Sequence, residues 1–248
     1  MNVYETAKIS DILSSNTYPG RGIIAGKTSD GKKAVFAYFI MGRSENSRNR
    51  IFTEKDGAVF TEPFDASKVE DPSLIIYAAV RKTGSSIIVT NGDQTDTVYD
   101  FLKEGKSFEQ ALETRCFEPD SPNWTPRISA LLTIENGGYS YKMSILKSAD
   151  PEGSACNRFT YNYSPINGLG HFIHTYYCDG NPIPTFSKEP ERVCVADDID
   201  EYTNEIWNSL NEANKISLYV SDIDIETGTA ENRIINKNKY RRQANERI

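Results

Sequence analysis

Apolar residues are grouped in short runs along most of this chain, and turn-forming residues separate the runs. Such runs predict β-strands, and pairs of runs joined by Gly, Asn or Asp predict antiparallel hairpins. Turns of this kind occur at Ser29-Asp30-Gly31-Lys32 and at Asn136-Gly137-Gly138. The predicted strands are residues 22–28, 33–41, 74–80, 86–90, 128–134, 139–145, 158–163, 171–178 and 216–220.

Two stretches change to helical spacing. From Thr95 to about Thr114 apolar residues recur every three or four positions, and Gly105 divides this stretch into two helices. Residues 197–214 show the same spacing and predict one helix. Strand pairs followed by helices, without strict alternation, predict an α+β fold with antiparallel sheets. We expect a single domain over residues 1–248.

The C-terminal residues 229–248 are basic and contain few apolar residues. We interpret them as a polar tail, a solvated and frayed helix rather than an arm that binds nucleic acid. The formal net charge of the whole chain is −7, which argues against general binding to nucleic acid or to an anionic membrane.

The expected compartment follows from what the sequence lacks. No run approaches the roughly 20 apolar residues of a membrane span. The first residues lack the basic and apolar parts of a secretory signal, so we expect a cytoplasmic protein. The oligomeric state stays open, a homo-oligomer included.

Cysteine and histidine spacing gives no metal-binding pattern. His171 and His174 would share a face only on a helix, and the run that contains them is predicted to be a strand. We therefore expect no metal site. The cysteines form no C-x-x-C pair and are expected to be reduced and mostly buried, and they are Cys116, Cys156, Cys178 and Cys194.

Positive charge is concentrated near the N-terminus of this acidic chain. Among the first fifty residues, eight are Lys or Arg and four are Asp or Glu. Two arginine-containing runs, residues 18–22 and 42–50, flank the first predicted hairpin. Arginine forks match phosphate and carboxylate groups, and glycine lets backbone amides approach them. Each run alone could be a charged surface turn, whereas the two together can converge on one small anion.

A third polar run, residues 89–97, lies between a predicted strand and a predicted helix. It contains a turn, two carboxylates and three hydroxyls. Asp93 or Thr95 could simply cap the helix. Alternatively, amides and side chains at a helix N-terminus could form a site for an anion or a polar ligand. The sequence leaves both interpretations open.

A fourth run, residues 123–128, precedes a buried strand. Pro126 is consistent with the entry of a strand. Arg127 is a further candidate for a cation that faces a ligand, and two carboxylates, Glu118 and Asp120, lie upstream.

In this order the four runs resemble one family, the archaeal-type IMP cyclohydrolases. Members carry Tyr-x-Gly-Arg, an Arg-Ser…Asn-Arg loop, a Tyr in an apolar strand, a Ser/Thr-Asn-Gly-x-x-Thr-Asp-Thr turn and Thr-Pro-Arg-Ile-x-Ala. The resemblance covers roughly residues 18–134, although the arginine loop is longer than the archaeal type. The counterparts in this chain are residues 18–21, 43–50, 77, 90–97 and 125–130.

The resemblance implies a four-layer αββα sandwich of antiparallel sheets, similar to the N-terminal-nucleophile (Ntn) hydrolases but without their self-processing. Met1-Asn2 offers no Ser, Thr or Cys as an N-terminal nucleophile, which agrees with that difference. The implied reaction closes 5-formamidoimidazole-4-carboxamide ribotide to IMP in de novo purine biosynthesis. The carboxamide nitrogen attacks the formyl carbon and water leaves. Positioning and a modest acid–base pair suffice, so we expect no cofactor.

The candidate site follows from this resemblance. The predicted catalytic residues are Tyr77, with Glu118 or Asp120 as its acid–base partner, and Arg127. The predicted binding residues for a small purine ribotide are Arg21, Arg43, Ser44, Arg48, Asn49, Arg50, Asn91, Gly92, Asp93 and Thr95, with Thr175 and Tyr176 on a strand that could face the site. The alternatives are a non-catalytic purine-nucleotide-binding protein and an Ntn-like amidohydrolase that acts on another C–N bond.

Overall fold

The computed structural model describes residues 4–69 and 76–238 and arranges them in two antiparallel sheets with helices against them. The elements in chain order are α1 (Ile9–Ser15), β1 (Arg21–Lys27), β2 (Lys33–Met41), α2 (Glu45–Arg48), β3 (Arg50–Lys55), β4 (Ala58–Pro63), β5 (Tyr77–Thr83), β6 (Ser86–Thr90), α3 (Gln94–Lys103), α4 (Phe108–Glu113), β7 (Arg127–Glu135), β8 (Gly138–Ser148), β9 (Cys156–Tyr163), β10 (Leu169–His174), β11 (Glu191–Cys194), α5 (Ile199–Ser209), β12 (Lys215–Asp224) and β13 (Ala230–Asn236).

The strand order of the first sheet is β11-β10-β1-β2-β12-β13, and that of the second sheet is β3-β4-β5-β6-β7-β8-β9. Neighbouring strands in both sheets run antiparallel. The second sheet is a meander, whereas the first brings strands from the C-terminal half beside β1 and β2. The prediction of antiparallel sheets with a few helices is confirmed.

Successive side chains of a strand point to opposite faces of its sheet, and this alternation divides the core into separate apolar clusters. On β2, Phe36 and Tyr38 face residues of the second sheet, whereas Ala37 and Phe39 face α1 and α5. On the second sheet, Ile88 faces α3 and α4 in a third apolar cluster. Because strands of the first sheet are covered on both faces, they read as continuous apolar runs.

Five of the nine predicted strands, 22–28, 33–41, 86–90, 128–134 and 158–163, are confirmed within two residues at both ends. Three others are misplaced at one end: β8 extends to Ser148, β12 extends to Asp224 and β10 already ends at His174. The run 74–80 is shifted, since β5 spans Tyr77–Thr83, and residues 70–75 lie outside the described part of the chain. Gly105 separates α3 from α4, as predicted. The helix predicted over 197–214 is shorter, because Leu210 is extended (ψ 137°) and β12 already begins at Lys215.

The predicted polar tail is wrong over residues 230–236, which form β13. This strand pairs with β12 from Ser217↔Asn236 to Ile223↔Ala230, and Ile234 packs against the core. Backbone pairing and these few apolar contacts override the polar composition. Residues 239–248 lie outside the described part of the chain.

The cysteines are free thiols, but the expectation that most are buried is wrong. Cys116 and Cys194 are exposed, and Cys156 and Cys178 are partly exposed. Cys116 lies in the loop after α4 and Cys194 ends the edge strand β11, so neither position is covered by a second layer. Within residues 4–69 and 76–238, no helix has the length and apolar character needed to cross a bilayer.

Candidate active site

A cavity of about 310 Å³ lies where the first arginine run meets the loop between α4 and β7. Arg21 begins β1, and its partner across the hairpin is Ile40 near the end of β2. The chain leaves β2 into α2 and returns as β3, which begins at Arg50. The hairpin therefore brings both arginine runs to one place, and Glu118 and Tyr176 line the same cavity.

Two arginines that line this cavity are largely shielded from solvent. The side chain of Arg21 is 12% exposed, and Arg50 is 2% exposed. The Nε atom of Arg50 donates to the Ser47 carbonyl at 2.7 Å. The Nε atom of Arg21 is buried and has no hydrogen-bond partner in the described chain. Such a donor is costly unless a ligand or water accepts from it.

The charges around the cavity do not balance. Burial alone would lower the pKa of Arg21. The combined attraction of Glu118 at 3.7 Å and of Tyr176, Tyr18 and Tyr77 outweighs burial, so this pKa lies well above its usual value. Burial and the charge of Arg21 lower the pKa of Arg50. Arg21, Arg43 and Arg50 line the cavity against Glu118 and Asp120, and this excess of one positive charge attracts an anion.

Glu118 and Asp120 differ in how they are held. Burial raises the pKa of Glu118, although Arg21 and Arg127 oppose that shift. Asp120 accepts hydrogen bonds from Thr125 on both oxygens, at 2.6 Å from the backbone N–H to Oδ1 and from the hydroxyl to Oδ2. Glu118 is therefore the carboxyl group that suits proton transfer, and Asp120 is the one that organises the loop.

Tyr77 is linked to Tyr38, a residue that the sequence analysis missed. Their hydroxyl oxygens lie 2.8 Å apart and join the two sheets, since Tyr38 is on β2 and Tyr77 is on β5. Burial and Tyr77 raise the pKa of Tyr38 well above its usual range, and Arg21 and Arg50 oppose the shift. Alternation along β2 marked Tyr38 only as a core residue, so its partner could not be read from the sequence.

The mouth of the cavity is formed by the second arginine run. Arg43 has a side chain that is 37% exposed, pairs with Asp179 at 2.5 Å and lies over the ring of Tyr18. Ser44 caps α2 through a capping box with Ser47. The charged loop expected here is thus a short helix with an ordered start.

The other two predicted residues of this run face away from the cavity. Arg48 donates to the Gly42 carbonyl at 3.0 Å and to Asn214 Oδ1 at 3.2 Å. Asn49 exchanges hydrogen bonds with the backbone of Asp65. Both line a separate and larger cavity of about 450 Å³, because one helical turn places them on the other side of α2.

The third run supports β7 instead of lining the cavity. Asn91 donates to the Pro126 carbonyl at 2.9 Å and accepts from the Ile128 N–H at 2.8 Å. Thr95 donates to the Gly92 carbonyl at 3.1 Å. These contacts hold the loop that carries the fourth run.

Asp93 occupies the N-cap position of α3, but its side chain does not cap the helix. It pairs with Arg115 and Arg127, each at 2.5 Å. Arg127 also donates to Gln94 Oε1 at 2.7 Å, and a β-carbon on Gly92 would lie 2.4 Å from its Nη1. The geometry thus places Arg127 behind the cavity, where its charge still acts on Glu118.

Thr175 and Tyr176 follow β10, and both lie next to Arg21. Thr175 Oγ1 accepts from the Arg21 N–H at 3.1 Å and so positions the start of β1. Tyr176 lines the cavity, stacks on Tyr18 with 5.7 Å between ring centroids, and its hydroxyl lies 2.6 Å from Thr125 Oγ1. Burial raises the pKa of Tyr176 to about 12.

The two histidines of β10 lie on opposite faces, as predicted. His171 Nδ1 lies 2.6 Å from the Tyr141 hydroxyl, and His174 stacks on Phe172. Burial and then Arg192 lower the pKa of His171 to about 4. In the described ranges no three His, Cys, Asp or Glu side chains are grouped as a metal-ligand set would require.

The fold and this cavity describe a class of protein: two antiparallel sheets with a cavity lined by three arginines and two carboxyl groups. A sequence model of the IMP cyclohydrolase-like protein family matches residues 18–228. The chain belongs to that family. The match extends well beyond residues 18–134, where the motifs lie.

Several relatives carry the name IMP cyclohydrolase. The protein from Methanococcus aeolicus is 28% identical over 187 residues, which is 71% of this chain and 85% of the relative. The protein from Methanopyrus kandleri is 34% identical over 118 residues, 46% of this chain and 58% of the relative. The protein from Methanococcus maripaludis strain C7 is 33% identical over 128 residues, 50% of this chain and 62% of the relative.

Proposed function

We propose that this chain is an IMP cyclohydrolase, which closes 5-formamidoimidazole-4-carboxamide ribotide to IMP with loss of water. The family match and the names of the relatives support this proposal. The observation that carries it is the pair of largely buried arginines, Arg21 and Arg50, in one cavity with Glu118. This combination offers a phosphate site and a proton-transfer group within the reach of one small ligand.

The 5′-phosphate is the group that the arginines bind. A guanidinium holds phosphate oxygens with two parallel N–H donors, and burial strengthens these hydrogen bonds. Arg21 has a free buried Nε–H for this purpose, and Arg43 at the mouth adds a third cation. The substrate is then fixed at one end, and the imidazole ring extends toward Glu118 and Tyr77.

Ring closure requires contact between two groups of the same molecule. Holding the carboxamide against the formyl group supplies several kcal/mol of the barrier reduction, on the order of what oriented intramolecular reactions gain. Fixed side chains meet this need: Asp120 holds Thr125 in the cavity wall. Tyr77 is outside the lining but close enough to act on the charge of Arg21, and it is fixed by its hydrogen bond with Tyr38.

Proton transfer accompanies the closure. The carboxamide nitrogen gives up one proton as it attacks the formyl carbon, and the formyl oxygen leaves as water with that proton and the one from the formamide nitrogen. Glu118 as carboxylate accepts the first proton and returns it to the departing oxygen. A raised pKa suits this exchange, because it brings the acid and base forms closer in energy at neutral pH. The Tyr77 hydroxyl donates to the oxygen on which charge develops.

We infer that residues 1–248 form one domain, and that the two sheets with their helices form the four-layer αββα sandwich of the Ntn hydrolases. Apolar clusters on the outer face of each sheet support the layering. We further infer a cytoplasmic enzyme that needs no metal or other cofactor and does not bind nucleic acid.

The test is direct assay of the purified protein. The formylated ribotide is supplied, and IMP formation is followed by absorbance and chromatography, with Arg50→Gln as the site variant. We expect turnover in the wild type and a loss of about 10- to 100-fold in kcat/KM in the variant, the effect of losing hydrogen bonds to a charged group. IMP binding without turnover would instead indicate a nucleotide-binding protein. Hydrolysis of a different C–N bond would indicate an amidohydrolase.

A further inference from the structure

Three side chains beside the cavity form a continuous chain of hydrogen bonds. The Tyr176 hydroxyl lies 2.6 Å from Thr125 Oγ1, and the Thr125 hydroxyl is bonded to Asp120 Oδ2. The other oxygen of Asp120 accepts from the Thr125 backbone N–H at 2.6 Å. All three residues line the cavity that contains Arg21 and Glu118.

The carboxylate of Asp120 fixes which group donates and which accepts in each of these hydrogen bonds. A carboxylate can only accept, and a threonine hydroxyl has a single hydrogen. Thr125 therefore donates to Asp120, and its oxygen is left to accept from Tyr176. The single hydroxyl hydrogen of Tyr176 is thereby engaged, so its oxygen offers only lone pairs to a ligand. Burial raises the pKa of Tyr176 to about 12, which keeps that hydrogen in place at neutral pH.

The Tyr176 oxygen gives the cavity an acceptor beside the Glu118 carboxylate. The proposed function assigns Glu118 to the proton that the carboxamide loses, and the arginines present only donors. Tyr176 is therefore available for the hydrogen that the carboxamide keeps. Resting on the proposed function, we propose that Tyr176 accepts a hydrogen bond from the carboxamide N–H that the substrate keeps, and that Asp120 and Thr125 are the positioning residues that impose this polarity. The retained hydrogen becomes the N1–H of IMP. The site thereby selects ligands with a hydrogen on that nitrogen.

One isosteric substitution, Asp120→Asn, reverses the order of donors and acceptors from residue 120 to Tyr176. In Asp120→Asn the amide oxygen continues to accept from the Thr125 backbone N–H, because an amide NH₂ group cannot. The NH₂ group then donates to Thr125 Oγ1, and the hydrogen of Thr125 turns toward Tyr176. The Tyr176 hydroxyl in turn points its hydrogen into the cavity. Shape and volume stay the same while the acceptor becomes a donor.

The test compares two nucleotides, one with and one without a hydrogen on N1. IMP carries a hydrogen on N1 and an oxygen on C6, whereas purine riboside 5′-monophosphate has a bare lone pair on N1 and a hydrogen on C6. Their dissociation constants are measured by calorimetry for wild type, Asp120→Asn, Thr125→Val and Asp224→Asn. The C6 oxygen contributes equally to the ratio of the two constants in every variant, so the inference is tested by the change in that ratio between each variant and wild type. Asp224 accepts backbone N–H groups in the β12–β13 turn and controls for the general effect of the substitution. Its strand position pairs with Lys33, at the other end of β2 from the cavity.

We expect wild type and Asp224→Asn to prefer IMP equally. In Asp120→Asn the ratio of the two dissociation constants shifts at least tenfold toward the bare-N1 nucleotide. Thr125→Val frees the Tyr176 hydroxyl to rotate, so it weakens the preference without reversing it. If Asp120→Asn is not folded by circular dichroism, Tyr176→Phe takes its place and must lower the preference for IMP relative to wild type.

The outcomes separate this inference from the proposed function. A wild type that forms IMP, with an unchanged ratio in Asp120→Asn, overturns the inference and leaves the function standing. A wild type that neither forms nor binds IMP overturns both.

Discussion

The guanidinium of Arg21 lies 3.7 Å from the carboxylate of Glu118, and the two side chains are only 12% and 9% exposed. This separation is too long for a direct hydrogen bond and leaves donors of Arg21 available to a ligand. The pair therefore offsets the charge of Arg21 without using up its hydrogen-bonding capacity. Affinity for a phosphate and the protonation of Glu118 are coupled through this contact.

Arg21 and Arg43 provide a matched comparison between a largely buried cation and an exposed one, with side chains 12% and 37% exposed. We expect Arg21→Gln to lower kcat/KM by about 10- to 100-fold, because a buried guanidinium makes charge-assisted hydrogen bonds that water does not replace. Arg43→Gln should lower it by less than about 10-fold, because exposed ion pairs contribute about 1 kcal/mol or less. Steady-state kinetics of both variants checks this order. Equal losses would show that burial does not decide which arginine binds the phosphate.

The hydroxyl pair between the two sheets gives a stability prediction. Tyr77→Phe leaves the Tyr38 hydroxyl buried without its partner and should cost about 1 to 3 kcal/mol in the free energy of unfolding. The double variant Tyr38→Phe with Tyr77→Phe should recover most of this loss, because neither polar group remains. Urea denaturation of the four proteins measures the coupling. Additive losses in the double variant would contradict a direct interaction.

The same variants separate stability from activity. Tyr77→Phe should lower kcat by about 10²- to 10⁴-fold if its hydroxyl transfers or donates a proton in the reaction. Tyr38→Phe keeps the Tyr77 hydroxyl and should retain most activity at a temperature where both variants are folded. Full activity in Tyr77→Phe would remove Tyr77 from the catalytic residues.

Glu118 gives a prediction about pH. Its pKa in the folded chain is raised above the ordinary value of 4.5, mainly by burial. Between these two values the folded chain keeps a proton that the unfolded chain releases, so the free energy of unfolding falls as pH rises through this window. Glu118→Gln cannot titrate and should lack this slope, while Arg21 stays charged throughout. Denaturation series from about pH 4 to pH 8 compare the two proteins. Parallel pH profiles would contradict the raised pKa.

Gly20 positions Tyr176 through its lack of a side chain. Its φ is +79°, and a β-carbon there would lie 2.2 Å from Thr175 Oγ1 and 2.5 Å from Tyr176 Cδ2. Gly20→Ala should therefore cost about 1 to 3 kcal/mol from backbone strain alone and more from the clash, and it should raise KM. Gly57→Ala is the control, since Gly57 has φ +74° with open space around it. Similar melting temperatures for the two variants would contradict the clash.

Local sequence was enough to predict the convergence of the two arginine runs, because a short hairpin dictates which residues become neighbours. The turn at residues 29–32 and the register that pairs Arg21 with Ile40 follow from local turn chemistry. Local sequence did not predict which residues of the second arginine run line the cavity and which face away from it. A helical turn of four residues, α2, sends Arg48 away from Arg50, and the polar composition did not predict a helix there.

Contacts between distant segments were beyond the sequence pattern. The approach of Tyr176 to Thr125 depends on how β10 packs beside β1, and that pairing joins residues about 150 positions apart. The pattern along β2 predicted that Tyr38 is buried but not that it meets Tyr77. Burial follows from alternation within one strand, whereas a partner follows from the packing of two sheets.

The strand order of the first sheet has a consequence for biosynthesis. β1 and β2, which carry Arg21 and Tyr38, lie between β10 and β12, so each has one neighbour that the ribosome adds more than a hundred residues later. The motif-bearing half of the chain leaves the ribosome with two unsatisfied strand edges. The cavity therefore cannot mature during synthesis of that half, and a nascent chain released before residue 224 would expose edges open to aggregation.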